Sequence, residues 1–162
     1  MPLKEIALKK RRTRKDYVFH QVYRTRWHDN DMYAHLNNTV YAQLFDSIIN
    51  SYLITDCGMD PFSPAPAHAS QIAVIASSYC DYFASVSYPD TLELGLRVTK
   101  LGGSSVTYEV GVFREGEDDV KVVGGYTHVW CTREDMKPAK GGMERRVREA
   151  LERLMVQDGA RL

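Results

Sequence analysis

Trp27-His28-Asp29-Asn30-Asp31-Met32-Tyr33-Ala34-His35-Leu36-Asn37-Asn38-Thr39-Val40-Tyr41 is the stretch whose reading decides the fold. Residues 29–38 hold two acids, a histidine and three asparagines, between a strand-like run and a long helical one. Short polar side chains favour turns and helix starts because their oxygens bond nearby backbone N–H groups. The segment therefore reads as a loop that brings together a carboxylate, a proton carrier and a helix start. The free N–H groups of a helix start can bind an oxyanion.

Downstream, Val40, Tyr41, Leu44, Phe45, Ile48, Ile49, Tyr52 and Leu53 recur at i, i+1, i+4 and i+5. That spacing makes one broad apolar stripe and predicts a helix over 38–55. Asn37 or Asn38 caps its start, and Gly58 stops it. Upstream, Phe19, Tyr23 and Trp27 keep even spacing in a run of aromatic and β-branched residues, so 17–27 reads as a strand.

Residues 59–70, with Pro61, Pro64 and Pro66, read as a loop, and the remainder is mostly strand. The range 72–86 makes one long or bent strand, followed by a turn at Tyr88-Pro89-Asp90. Leu92, Leu94, Leu96 and Val98 alternate, as do Val106, Tyr108, Val110 and Val112, with Gly102-Gly103 as the hairpin turn between them. A polar turn at 115–119 leads to a last strand over 120–132. A charged helix over about 143–156 carries Val147, Leu151, Leu154 and Met155 on one face. Strands joined by tight turns are antiparallel. The fold class is α+β, an antiparallel sheet wrapped around one long helix with a short C-terminal helix.

At 162 residues, 44% hydrophobic and 26% charged, the composition is that of one ordinary globular domain. Formal net charge is zero, but residues 1–16 hold seven Lys/Arg against Glu5 and Asp16, so +5, and the rest sums to −5. The chain divides into a flexible basic arm, 1–16, and a single domain, 17–162. A basic arm alone argues against a nucleic-acid surface. Cys57, Cys80 and Cys131 are widely spaced, with no Cys-x-x-Cys, so neither a disulfide framework nor a metal site is expected. No apolar run reaches the ~20 residues of a membrane span. The expected location is the cytosol, with mitochondrial import through the basic N-terminus as the other reading.

The quoted stretch resembles hotdog-fold thioesterases, in particular the 4-hydroxybenzoyl-CoA thioesterase-like acyl-CoA thioesterases, with the plant acyl-ACP thioesterases as cousins. That family's pattern is an aromatic or apolar residue, Asp-x-Asp, three residues, His-[Val/Leu]-Asn-Asn, two residues and Tyr. Here it stands as Trp27, Asp29-Asn30-Asp31, His35-Leu36-Asn37-Asn38 and Tyr41. The resemblance covers about residues 17–138. It implies the hotdog fold, an acyl-CoA or acyl carrier protein substrate, no cofactor, no metal, and a homodimer or homotetramer. It also implies that Asp31 is the catalytic carboxylate, as nucleophile or as general base on water. Two departures stand out. Tyr33 occupies the position of a catalytic Asn in the acyl-ACP cousins. Gly102-Gly103 stand where the bacterial 4-hydroxybenzoyl-CoA enzymes carry basic residues.

Thioester hydrolysis needs an activated nucleophile and a site for the oxyanion. Asp31 supplies the first, with the helix N-terminus for the second, and His35 carries a proton or orients the loop. Asp31 as a plain Asx-turn residue is the bland alternative. Tyr33 lines the acyl pocket or donates a hydrogen bond, Asn37 and Asn38 cap the helix and fix the loop, and Tyr41 is core or pocket wall. Ser77 and Ser78 are presented to the site by a neighbouring subunit, with Tyr79 beside them. Gly103 and Ser104 read as a plain hairpin turn or as a small loop that lets CoA approach closely, and Lys100 is a candidate phosphate contact or an ordinary exposed strand lysine. Asp29 is structural and pairs with Arg24 or Arg26. Two other functions remain open: an acyl-thioester dehydratase or hydratase, for which the helix offers only Asp46, and a non-catalytic acyl-binding module.

Overall fold

The computed structural model describes residues 2–60 and 70–156. Chain order is α1 (Pro2–Lys9), a 3-10 turn (Arg14–Asp16), β1 (Phe19–Arg24), a second 3-10 turn (Trp27–Asp29), α2 (Asn38–Thr55), β2 (Gln71–Tyr82), β3 (Thr91–Leu101), β4 (Ser105–Arg114), β5 (Val120–Thr132) and α3 (Arg145–Glu152). The expected loop over 59–70, with its three prolines, lies for the most part outside the described residues.

The five strands form one sheet in the order β1-β3-β4-β5-β2, every neighbour antiparallel. The class is α+β, as the alternation and the single long stripe predict. All eight stripe residues of α2 are buried. They meet Leu92, Leu94, Leu96 and Val98 of β3, Val106, Tyr108, Val110 and Val112 of β4, and Val122, Tyr126 and Trp130 of β5. Each such side chain contributes roughly 1.5–3 kcal/mol of apolar transfer. α3 closes the far end with Val147, Ala150 and Leu151, and the Tyr52 hydroxyl donates to the Ala150 carbonyl at 2.6 Å. Among the described residues no helix is long and apolar enough to cross a membrane.

Three boundaries move. The first strand stops at Arg24 rather than Trp27, because the Asp29 carboxylate takes the Arg26 N–H at 2.7 Å and winds 27–29 into a turn. The long strand stops at Tyr82, where the Phe83 and Ala84 N–H groups both donate to the Lys121 carbonyl. The C-terminal helix is shorter than 143–156.

The basic arm carries local structure. Residues 2–16 form α1 and a 3-10 turn, and from Lys9 onward they bond the convex face of the sheet, opposite α2. Arg12 Nε donates to Glu109 at 3.0 Å, Arg14 Nε to Glu93 at 2.8 Å and Lys9 Nζ to Asp81 at 2.9 Å. Glu109 is buried and also accepts from Arg97 at 3.0 Å and from the Tyr17 hydroxyl at 3.2 Å. The Tyr17 ring crosses Gly95 and Gly111, where a Cβ would come within 2.7 and 2.5 Å of it. Composition registers the arm's charge but not its buried acidic partner on the sheet.

Candidate active site

The loop between β1 and α2 is held from beneath by Asp29, which is 1% exposed. Its carboxylate accepts from the Tyr23 hydroxyl at 2.8 Å, from the Arg26 N–H at 2.7 Å and from the Arg26 guanidinium at 3.5 Å. Burial alone would raise its pKa. The Arg26 N–H, the Tyr23 hydroxyl and the Arg26 charge outweigh that and hold it below the usual carboxylate range. The Asp29 carbonyl accepts the Asn37 N–H at 2.8 Å, which ties the floor of the loop to the start of α2.

On this floor, residues 31–35 close a small turn. The Asp31 N–H donates to the His35 carbonyl at 2.8 Å. Asp31 Oδ1 accepts the Tyr33 N–H at 2.8 Å and the His35 N–H at 3.2 Å. Ala34 takes φ 58, the left-handed value that lets the chain double back. The Asx-turn is therefore real, and it uses one oxygen only. Asp31 Oδ2 has no hydrogen-bond partner among the described residues, nor has the exposed His35 ring.

α2 begins beside this turn. Asn37 is its cap: Oδ1 accepts the Thr39 N–H at 3.0 Å and the Thr39 hydroxyl at 2.9 Å, and the Asn37 carbonyl takes the Val40 N–H at 2.9 Å. These bonds use the N–H groups of 39 and 40. The Asn38 N–H remains without an acceptor among the described residues, at the positive end of the helix dipole. No group of three or more His, Cys, Asp or Glu side chains suited to a metal ion occurs among the described residues.

A second loop completes the rim. Tyr88 N–H donates to Asn30 Oδ1 at 2.9 Å, and the Leu36 N–H donates to the Val86 carbonyl at 2.7 Å. Arg114 Nε pairs with Asp90 at 3.1 Å and fixes that loop to the end of β4. Trp27 meets Tyr88 edge-to-face at 5.9 Å. Trp27, Met32 and Tyr33 are 80%, 87% and 71% exposed, so the loop that carries Asp31 presents open apolar side chains.

Residues 33–121 match the Thioesterase superfamily. The chain belongs to the thioesterase superfamily. The PA5185 protein of Pseudomonas aeruginosa shares its fold at TM-score 0.80 with 40% identity, over 88% of this chain and 94% of that one. Slr0204 of Synechocystis, a 1,4-dihydroxy-2-naphthoyl-CoA thioesterase, gives TM-score 0.71 at 14% identity over 82% and 94% of the two chains. A Thermus thermophilus thioesterase complexed with coenzyme A and Zn gives 0.67 at 23% over 86% and 96%. No curated protein matches this sequence. The hotdog fold and a thioester hydrolase activity follow from the family and the fold together.

Within this thioesterase, the expected site residues separate into two groups. Asp31, Tyr33, His35, Asn37 and Asn38 stand together at the start of α2. Tyr41 is buried, edge-to-face with Tyr82 at 5.4 Å, and belongs to the core. Gly103 and Ser104 lie elsewhere in the same chain. Arg114, at one end of β4, belongs to the site's rim, and the Gly102–Ser105 turn is at the other end, ~30 Å away for ten strand residues. The carbonyls of that turn are also taken: Gly103 by the Met143 N–H, Ser104 by the Trp130 N–H and Gly102 by Arg148. Lys100 is next to that turn, at the same distant end of the hairpin.

Ser77 and Ser78 are exposed on β2, but they point to opposite faces. Ser78 pairs with Tyr126 and shares its helix side, whereas Ser77, paired with Thr127, faces away from α2. Tyr79 also faces away, under Lys9, whose Nζ lies 4.3 Å from its ring centroid. The pairing of Trp27 with Tyr88 is absent from the sequence reading, because only the fold brings these two exposed aromatics together.

Proposed function

We propose that this thioesterase hydrolyses acyl-CoA to free acid and CoA, with Asp31 as the reacting carboxylate. The observation that carries the reading is the division of labour within that side chain. Two backbone N–H groups fix Oδ1, and among the described residues Oδ2 has no partner, nor has the Asn38 N–H at the start of the helix that follows this turn. A thioester carbonyl oxygen on the Asn38 N–H is polarised by the helix end, without further charge in the site.

Two routes use this geometry. In direct attack, Oδ2 bonds to the acyl carbon, the C–S bond breaks, and water then cleaves the acyl–aspartyl anhydride. In the base route, Oδ2 takes a proton from water as the water oxygen bonds to the acyl carbon. In either route the departing thiolate takes up a proton, and the free His35 ring is placed to carry it. Trp27, Met32, Tyr33 and Tyr88 offer an apolar surface to the acyl or pantetheine portion. A CoA substrate is supported by the coenzyme A held in the Thermus relative and by the CoA thioester on which the Synechocystis relative acts.

The same reading includes a two-fold homodimer. β2 is an edge strand of twelve residues, and among the described residues no strand meets its outer side. Val74 and Ile75 are exposed on it, and an uncovered apolar edge of this length is a template for pairing with another chain. Antiparallel pairing of β2 with its own copy removes that edge.

The test is thiol release measured across aliphatic and aromatic acyl-CoA thioesters, with an acyl carrier protein thioester alongside. Release of CoA with matching free acid supports hydrolysis. A protein that binds these thioesters without releasing thiol is an acyl-binding module instead.

A further inference from the structure

We infer that α1 is a clasp which docks on a second copy of this chain, over the first half of its β2 strand. The inference rests on the β2-to-β2 dimer proposed above and adds to it a contact that edge pairing alone does not require.

The arm crosses the convex face of the sheet in one direction. Tyr17 lies over β3 and β4, Arg14 bonds Glu93 of β3, Arg12 bonds Glu109 of β4, and Lys9 bonds Asp81 of the edge strand β2. Lys9 is the last residue of α1, so the helix is anchored at the edge strand of this chain's sheet. Among the described residues, the remainder of α1 makes no hydrogen bond or ion pair to the sheet, and Glu5 pairs only with Lys9 at 3.2 Å. Its apolar residues are uncovered: Leu3 is 83% exposed, Leu8 60% and Ile6 40%. An eight-residue helix without a packed face is not stable on its own in water. This one needs a surface to lie on, and the described residues of its own chain do not supply one.

The partner surface follows from strand geometry. On β2, Ile72, Val74, Ser77, Tyr79 and Asp81 pair with Cys131, Val129, Thr127, Gly125 and Val123 of β5. Val123 packs with Tyr17 on the convex face, and side chains alternate across the sheet, so these β2 residues share that face. The arm covers Tyr79 and Asp81, in the second half of the strand. Ile72, Val74 and Val129, toward the first half, are only partly covered and are apolar. When two identical antiparallel strands pair about a two-fold axis, the second half of each lies beside the first half of the other. A helix anchored at Asp81 then overhangs the partner's Ile72 and Val74. The symmetry repeats the contact, so each chain's uncovered helix meets the other chain's uncovered patch.

The experiment uses the full chain. Sedimentation measures the dimer constant of the wild type, of L3S/L8S and of I75K, and a photo-crosslinking side chain replaces Leu8. The clasp predicts that L3S/L8S weakens dimerisation about ten-fold or more, by loss of buried apolar surface, and that the probe joins two chains through residues 71–76. If I75K breaks the dimer, L3S/L8S leaves its constant unchanged and the probe reacts only within its own chain, the edge pairing stands and the clasp is wrong. A wild type that stays monomeric at micromolar concentration removes the edge pairing and the clasp with it.

Discussion

Asp31 and His35 are joined by a reciprocal pair of hydrogen bonds: the Asp31 N–H donates to the His35 carbonyl at 2.8 Å, and the His35 N–H donates to Asp31 Oδ1 at 3.2 Å. The backbone of the histidine, together with the Tyr33 N–H and not the imidazole ring, thus sets the direction of the carboxylate. Two consequences follow. The imidazole is free for the substrate, and its removal leaves the Asp31 turn in place.

His35→Ala is therefore expected to keep the fold and lower kcat by roughly 10²-fold, the usual worth of a positioned proton carrier. Tyr33→Phe is expected to change kcat little, because the Tyr33 hydroxyl is exposed and has no partner among the described residues. Steady-state kinetics of both variants on one good substrate make the comparison. A larger kcat loss in Tyr33→Phe would assign the polar role to that hydroxyl.

Asp29 holds the floor of the same loop, and its replacement should act through stability. Asp29→Ala removes the acceptor for Tyr23 and Arg26 from a buried position, at an expected cost of about 2–4 kcal/mol in urea unfolding. The carboxyl is held below its unfolded pKa, so its contribution is full above about pH 4 and fades as pH falls through the lower folded value. The wild type should lose this increment in acid, and the variant should have none to lose. Equal stability of the two at neutral pH would show that Asp29 is not the anchor.

His128 gives a separate pH dependence. It is buried between Tyr108 and Tyr126, and burial pushes its pKa down to about 4. The unfolded chain binds a proton at about 6.5. Stability is therefore full above pH 6.5 and falls as pH drops towards 4, by up to about 3 kcal/mol. His128→Phe should flatten that part of the profile. Thermal melts between pH 7 and 4 measure it, and identical slopes for both proteins would contradict the assignment.

Removal of residues 2–16 should destabilise the body. Glu109 keeps Arg97 but loses Arg12, and the convex face over Tyr17 is opened. The expected cost is about 3 kcal/mol or more in urea unfolding. Unchanged stability would show that the arm's bonds to the sheet add nothing to the fold.

The contrast between α2 and the arm explains how far the sequence could be read. The α2 stripe and the alternation in β3, β4 and β5 are local periodicities, visible without knowledge of any partner. The Asp31 loop stands out because its polar residues are crowded into one segment. The arm's order depends on Glu109, Glu93 and Asp81, which the fold alone brings beneath it. The rim pair Trp27 and Tyr88 is equally non-local. The turn at Gly103 and Ser104 has the small residues a ligand loop needs, but strand length carries it to the opposite end of the sheet from Asp31.

The most direct test of Asp31 as the reacting carboxylate is the kcat of Asp31→Asn on an acyl-CoA. An amide oxygen can still accept the Tyr33 and His35 N–H bonds, so the turn and the thermal stability should be preserved. The free oxygen, however, becomes an NH₂ that can neither attack nor take a proton. The expected result is a loss of about 10²–10⁴ in kcat with an unchanged melting temperature. A variant that folds normally and hydrolyses the thioester at close to the wild-type rate would show that the chemistry belongs to another group.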